Sequence, residues 1–475
     1  MKLFSTAFLL AFLAACQSAP AQAPDQAPAQ AVSPVVPDYA PRPYVQVAHP
    51  DWARDAVIYQ INTRQFTPEG TFAAAQEQLP RLKELGVDIL WRMPIHPIGE
   101  VNRRGSLGSP YSVKDFRGVN PEFGTLQDLR SFVDAAHDQG FYVILDWVAN
   151  HSAWDNPLVT EHPDWYEQDW KGDFHPTPWT DWVDIIDFNY DAPGLRQYMT
   201  EAMLYWVRDI GIDGFRCDVA GFVPLDFWEE LRRQLDEVKP TFLLAEWEQR
   251  DMHARAFNAT YAWTWKDAAR DIAQGRSDAN RMTGYMQNHL SSWPDGAMRM
   301  LYTENHDQNA WEGTPSEFYG EALPAFMTLQ FLMDGIPLIH NGQEAGNERR
   351  LAFFEKDPIA WRYHPNRDFI RQLVDLKSRN PALWNGHWGG RLVPVVNSDP
   401  ARVVSFARQK EGNEVIAVLN LSPEATEVML TDGPVSGLWE NAFSGDAYTL
   451  NFTESIALPA WGYLVLNRNS LPGGN

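Results

Sequence analysis

Arg216 and Asp218 lie two positions apart in the run Gly214-Phe215-Arg216-Cys217-Asp218-Val219. In a strand, alternate side chains share a face, so these two would point the same way, with Phe215 and Cys217 opposite. A guanidinium and a carboxylate closing an otherwise apolar strand are costly to bury without a partner or a task. A plain structural ion pair explains this stretch as well as chemistry does. Three further apolar runs, however, end in the same manner. Phe242 to Ala245 closes on Glu246, Met298 to Thr303 runs on to His306 and Asp307, and Tyr142 to Val148 leads into Asn150 and His151. One such ending is common in any α/β protein; four imply polar side chains converging at one end of a parallel sheet. Carboxylates gathered in that way serve proton transfer and attack on an electron-poor carbon.

Such convergence requires strands of one direction, and the chain supplies them. Apolar runs suited to buried parallel strands occur at Ala56–Ile61, Val87–Met93, Tyr142–Val148, Gly214–Val219, Phe242–Trp247, Ala259–Trp263, Met298–Thr303 and Ile336–His340. Helical spacing of apolar residues lies between most of them, at Thr71–Leu85, Leu126–Gln139, Leu195–Asp209, Leu225–Val238 and Glu317–Met333, with a final helix over Phe369–Asn380. Strands alternating with helices in this number predict an α/β protein of the (β/α)₈ TIM-barrel type over residues 50–385, active at the carboxyl ends of its strands. The segment 152–191 after the third strand is too long for an ordinary connection and is rich in Trp, His, Asp and Pro. From about residue 390 to 470 the pattern changes to alternating strands such as Glu414–Asn420 and Gly462–Asn467, an all-β module.

The chain has 475 residues, 44% of them hydrophobic, which is enough for a full core in one large and one smaller domain. Its net charge of −23 repels phosphate backbones and excludes a nucleic-acid partner. Twenty tryptophans suit flat-faced recognition of sugar rings, although most tryptophans in a protein this size serve the core. Residues 1–16 combine Lys2 with a short apolar run ending Leu13-Ala14-Ala15-Cys16, too short to span a bilayer and shaped as an export signal. It resembles a bacterial lipobox, which implies lipidation of Cys16, attachment to the cell envelope and, with Gln17 following, sorting to the outer membrane. Residues 17–43 form an Ala/Pro/Gln linker of extended character. Cys217 is the second of only two cysteines, so no intramolecular disulfide is expected once Cys16 is modified.

The stretches DWVANH, GFRCDVA, LLAEWE and ENHD resemble, in order, the four signature regions of the α-amylase superfamily, glycoside hydrolase family 13. The resemblance spans roughly Asp55 to Gly346. It implies a retaining glycoside hydrolase cleaving α-1,4-glucosidic bonds of starch-like glucans or maltooligosaccharides. An α-glucosidase, a glucanotransferase and a non-catalytic glucan-binding lipoprotein are the alternatives. By motif position Asp218 is the nucleophile, Glu246 the general acid/base and Asp307 the acid that favours the distorted sugar. Tyr111, His151, Arg216 and His306 match substrate-binding positions, and 152–191 matches a short B domain. The module after 390 resembles the family's C-terminal β-sandwich, and Glu344 stands just past a stretch resembling the eighth strand.

Cleavage through an oxocarbenium-like transition state needs one protonated carboxyl and one ionised carboxylate. Arg216 is expected to hold the Asp218 pKa down, and the apolar neighbours of Glu246 to push its pKa up. Cys217 is expected to be a buried small residue facing away from the acids. His96 could line the same rim or belong to the core. The family's Lys-His pair after the nucleophile is replaced by Val219-Ala220-Gly221. That removes one ligand of the family's structural calcium, while Asn150 and Asp187 match other calcium positions; the chemistry itself requires no cofactor.

Overall fold

The computed structural model describes residues 43–469. All eight expected strands form, the last over the expected residues and the other seven as shorter segments. β1 (Ile58–Ile61), β2 (Ile89–Arg92) and β3 (Tyr142–Trp147) come first, and the inserted segment adds β4 (His151–Ala153) and β5 (Ile185–Asp187). Then follow β6 (Gly214–Cys217), β7 (Phe242–Ala245), β8 (Ala259–Tyr261), β9 (Met298–Leu301) and β10 (Ile336–His340). Around the closed barrel the order is β1-β2-β3-β6-β7-β8-β9-β10, with parallel pairing throughout and β10 returning to β1.

These strands read as continuous apolar runs because both faces are buried. Inward residues such as Ile58, Ile89, Trp91, Ile144, Leu244 and Met300 fill the barrel. Outward residues such as Tyr59, Leu90, Val143, Phe215, Cys217 and Leu243 pack under the helices. The same alternation sends Arg216 inward, opposite Asp146 of β3 in the strand register. Gly214 starts β6 with φ +156°, and a Cβ there would stand 1.9 Å from the Phe242 carbonyl oxygen, so no larger residue fits.

Among the helices are α1 (Leu79–Leu85), α2 (Leu126–Asp138), α3 (Pro193–Tyr205), α4 (Leu225–Val238), α5 (Met252–Arg255), α6 (Trp263–Ala273), α7 (Ala279–Ser292), α8 (Leu323–Leu332) and α9 (Pro365–Arg379). Two expected helices are broken. Thr71–Leu85 divides before α1, whose first turn carries Pro80. Glu317–Met333 divides at Gly320, φ +49°, and resumes at α8 with Pro324 in its first turn.

β4 and β5 pair antiparallel and form the root of the insertion. The C-terminal module is a six-stranded sheet whose centre is the antiparallel trio Val403–Lys410, Asn413–Asn420 and Tyr463–Asn469. One face packs Phe406, Val415, Ala417 and Val465 onto α6, α7 and α8. Two two-stranded pieces cover the other face through Val428, Leu430, Ile456 and Leu458, giving two layers. The buried Arg408 ties module to barrel, donating to the carbonyls of Met333 at 2.9 Å and Trp384 at 2.8 Å. The signal ending at Cys16, and the linker 17–43 up to its last residue, lie outside the described residues. Among the described residues no helix is long and apolar enough to cross a membrane.

Candidate active site

At the carboxyl ends of β3, β6 and β7, three carboxylates meet on one guanidinium. Arg216 is fully buried, and its Nη1 lies 2.7 Å from Asp146 Oδ1 and 2.8 Å from Asp218 Oδ1. Its Nη2 lies 2.8 Å from Glu246 Oε1, and its Nε donates to the Tyr261 hydroxyl at 3.2 Å. Asp218 and Glu246 are thereby brought within hydrogen-bonding reach of each other. The second oxygen of Glu246 accepts the N–H of Val219 at 2.8 Å. Val219 reaches that position with φ 34° and ψ 47°, a left-handed conformation strained for a β-branched residue.

Asp307, at the end of β9, completes the set. A cavity of about 350 Å³ is lined by Asp218, Glu246 and Asp307 together with Tyr111 and His151. Tyr111 contacts Asp146 Oδ2 at 3.1 Å and His306 Nε2 at 2.7 Å through its hydroxyl, and its ring stacks on His306. His306 stands behind that wall rather than lining the cavity. Its Nδ1 is 2.6 Å from Gln60 Nε2, and its Nε2 lies 3.3 Å from Asp307 Oδ2.

Burial pushes Asp218, Glu246 and Asp307 up to about 7 and Asp146 up to about 6. The rise at Glu246 meets the expectation. That at Asp218 overturns it. Arg216 does draw the Asp218 pKa down, but desolvation outweighs it, because the single cation is shared among three buried carboxylates. Such a cluster titrates as a unit, and at neutral pH it retains protons. Asp307 keeps 40% of its side chain open to the cleft, so water there tempers its rise. Burial holds His151 down to about 3, so it faces the cavity as neutral imidazole.

Asn150 and Asp187 sit beside this cavity without lining it. Asn150 Nδ2 donates to Asp187 Oδ1 and to Thr177 Oγ1, both at 3.1 Å, and the Thr177 hydroxyl also binds Asp187. These groups satisfy one another. Calcium takes roughly six to eight oxygens, and one carboxylate, one amide and one hydroxyl already bonded together do not fit that cage. Among the described residues no group of three or more His, Cys, Asp or Glu could hold a metal ion.

Three other residues resolve plainly. His96 belongs to the core, its Nδ1 3.0 Å from the Gly118 carbonyl and its ring against Trp147 and Trp206. Glu344 is buried away from the cavity and pairs with Arg81 at 2.6 Å and the Tyr59 hydroxyl at 2.5 Å. Cys217 faces the helix layer, as expected. Asp146 is the functional neighbour that motif reading passed over. It accepts from Arg216, Trp91 and Tyr111 and so fixes all three, and its place at the start of DWVANH, on an inward face, was the available signal. The rim residues Arg104, Asp181 and Phe354 also escaped notice, since nothing in their own segments marks them.

A model of the α-amylase catalytic domain matches residues 51–390. The α-amylase MalA of Haloarcula japonica is 33% identical over 442 residues, covering 88% of this chain and 63% of that protein. The α-1,4-glucan:maltose-1-phosphate maltosyltransferase of Salinibacter ruber is 26% identical over 424 residues, covering 80% and 62%. The chain thus spans somewhat under two thirds of the length of these two relatives. Among solved structures, the noncanonic maltogenic α-amylase AmyB of Thermotoga neapolitana superposes with a TM-score of 0.79 at 32% identity, covering 87% of this chain and 98% of that one. An α-amylase from Lactobacillus plantarum gives 0.78 at 32%, covering 88% and 99%.

Proposed function

The chain belongs to the α-amylase family, and from that premise we propose that it is a retaining glycoside hydrolase acting on α-1,4-glucosidic bonds of starch-like glucans or maltooligosaccharides. The observation that carries this reading is the meeting of Asp218, Glu246 and Asp307 in one cavity. Glu246, protonated because it is desolvated, gives its proton to the departing oxygen while Asp218 attacks the anomeric carbon. The positive charge developing on the ring is met by Asp218 and Asp307. Glu246, now ionised, then takes a proton from the water that releases the sugar from Asp218. Closely spaced carboxyls suit this route; inversion needs a water held between them. No cofactor enters the chemistry. Full-length enzyme on soluble starch should release reducing sugar of retained α-configuration, followed by NMR, and Asp218→Asn should abolish it. Release of the β-anomer would overturn the mechanism.

Transfer to a sugar acceptor is a second reading, favoured by an apolar leaving-group side. Beside Glu246, Val219-Ala220-Gly221 stands in place of the charged pair of the family, and Trp247 lies 5.5 Å from the half-exposed Phe222 and 5.9 Å from Trp263. Longer products from maltotriose would establish it. The lipobox-like sequence further supports attachment of the enzyme to the cell envelope through a lipid on Cys16, at the outer membrane. Cys16→Ser should then move activity from the membrane fraction to the soluble one.

A further inference from the structure

We infer that the enzyme takes its glucan by the non-reducing end, because the cavity is walled off on the side away from the acid/base; this rests on the hydrolase reading above. Glu246 must stand at the bond that breaks, so the leaving sugars depart on the β7 side. In the barrel order, the position facing β7 is β1, flanked by β2 and β10. C1 and C4 lie across a pyranose ring from each other. With C1 held at Asp218 and Glu246, O4 therefore points toward the loops after β2 and β10.

Those loops are joined across the cleft. Leu107 N–H donates to the Phe354 carbonyl at 3.2 Å, and Ser106 N–H to Glu355 Oε1 at 2.7 Å. Gly105, at φ +65°, lies so close that a Cβ there would be 2.5 Å from Phe354 Cβ. The Arg104 guanidinium sits 5.0 Å over the Phe354 ring and donates to the Asp181 carbonyl at 3.2 Å and its carboxylate at 3.3 Å, which draws in the insertion as well. Arg104, Asp181 and Phe354 all line the cavity that holds the three acids. An exposed Arg–Asp pair alone would be a weak gate. The backbone bond and the close packing at Gly105 make it a wall. A chain continuing beyond O4 has no exit there, so a short unit must be cut from the free end.

The test uses the full-length enzyme, maltohexaose, and the same sugar with an ethylidene acetal across O4 and O6 of its non-reducing ring. Early products are separated by chromatography. Wild type should release one short product from the free sugar and cleave the blocked one about tenfold more slowly or worse. Arg104→Ala combined with Phe354→Ala should raise the blocked-to-free rate ratio and broaden the product lengths, which a merely destabilised enzyme would not do. Equal cleavage of both sugars by wild type, with mixed lengths, overturns the end preference and leaves the hydrolase reading standing. Cleavage of neither overturns both.

Discussion

Asp213 and Asp218 sit just before and just after the same strand, β6, and the protein treats them in opposite ways. Asp213, at the amino end, has more partners than charge. His137 Nε2 and the Val143 N–H each lie 2.8 Å from one oxygen, and Lys239 Nζ lies 2.9 Å from the other. Burial raises its pKa, yet His137 and Lys239 outweigh burial and hold the carboxyl below its ordinary value. Asp218, at the carboxyl end, shares one arginine with Asp146 and Glu246 and is pushed up to about 7. A carboxylate with its own cation, Lys239, is a structural brace. One forced to share is unstable as an ion, and that instability is available for reaction. The division follows the two faces of such barrels, stability at the amino face and chemistry at the carboxyl face.

The largest effect that could break this contrast is on turnover. Asp218→Asn should lower kcat on soluble starch on the order of 10³-fold or more, without lowering Tm. The sign of its effect on stability follows from the raised pKa. A carboxyl titrating near 7 when folded and near 4 when unfolded stabilises the fold at low pH and loses that contribution as pH rises between the two values. Removing it should therefore raise Tm relative to wild type more at pH 8 than at pH 5. A melting temperature that falls at pH 8 would place Asp218 with the braces.

The pH profile of the wild-type enzyme sharpens the same point. Glu246 must carry its proton to act as acid, and burial keeps that proton on up to about pH 7. Initial rates should fall as pH rises through that value, with an apparent pKa belonging to the cluster rather than to one side chain. A rate that holds level to pH 9 would mean that the shared arginine does not govern the acid.

Asp213→Asn is the reciprocal experiment and has a smaller effect. It keeps the shape but removes the charge from Lys239 and His137, and should destabilise by about 1–3 kcal/mol with kcat little changed. Because the folded pKa is depressed, the stability Asp213 contributes is present above the unfolded value near 4 and vanishes as pH falls through the folded one. Wild type and variant should thus be well separated in urea titrations at pH 6 and draw together as the pH falls below the unfolded value.

Much of this was legible beforehand, for identifiable reasons. The eight strands show because parallel strands buried on two faces leave continuous apolar runs, and the acids show because each interrupts such a run at its end. The Asp218 pKa direction was not legible. Sequence reveals Arg216 two residues away but not that Asp146 and Glu246, 72 and 28 residues from Asp218, claim the same guanidinium. The wall at Arg104 was hidden for a similar reason, since it exists only through partners at 181 and 354–355, brought near by barrel closure. The calcium expectation came from matching positions one at a time, whereas the structure shows Asn150 bonded to Asp187. The broken helix before α8 could have been read from Gly320 and Pro324.

Cys217 offers the smallest and most discriminating test of the alternation on which the comparison rests. It adjoins both Arg216 and Asp218 in sequence, yet its side chain lies among the outward residues packed under the helices, while theirs point inward and pair with each other. Cys217→Ala removes one sulfur from a fully buried site and should cost about 1 kcal/mol through lost packing. It should leave kcat and the pH profile unaltered, because no bond in the carboxylate cluster passes through it. Thermal melts and starch kinetics on one preparation separate the two readouts. Were kcat to drop without a matching loss of Tm, the face assignment along β6 would be wrong, and Arg216 could not be the shared cation.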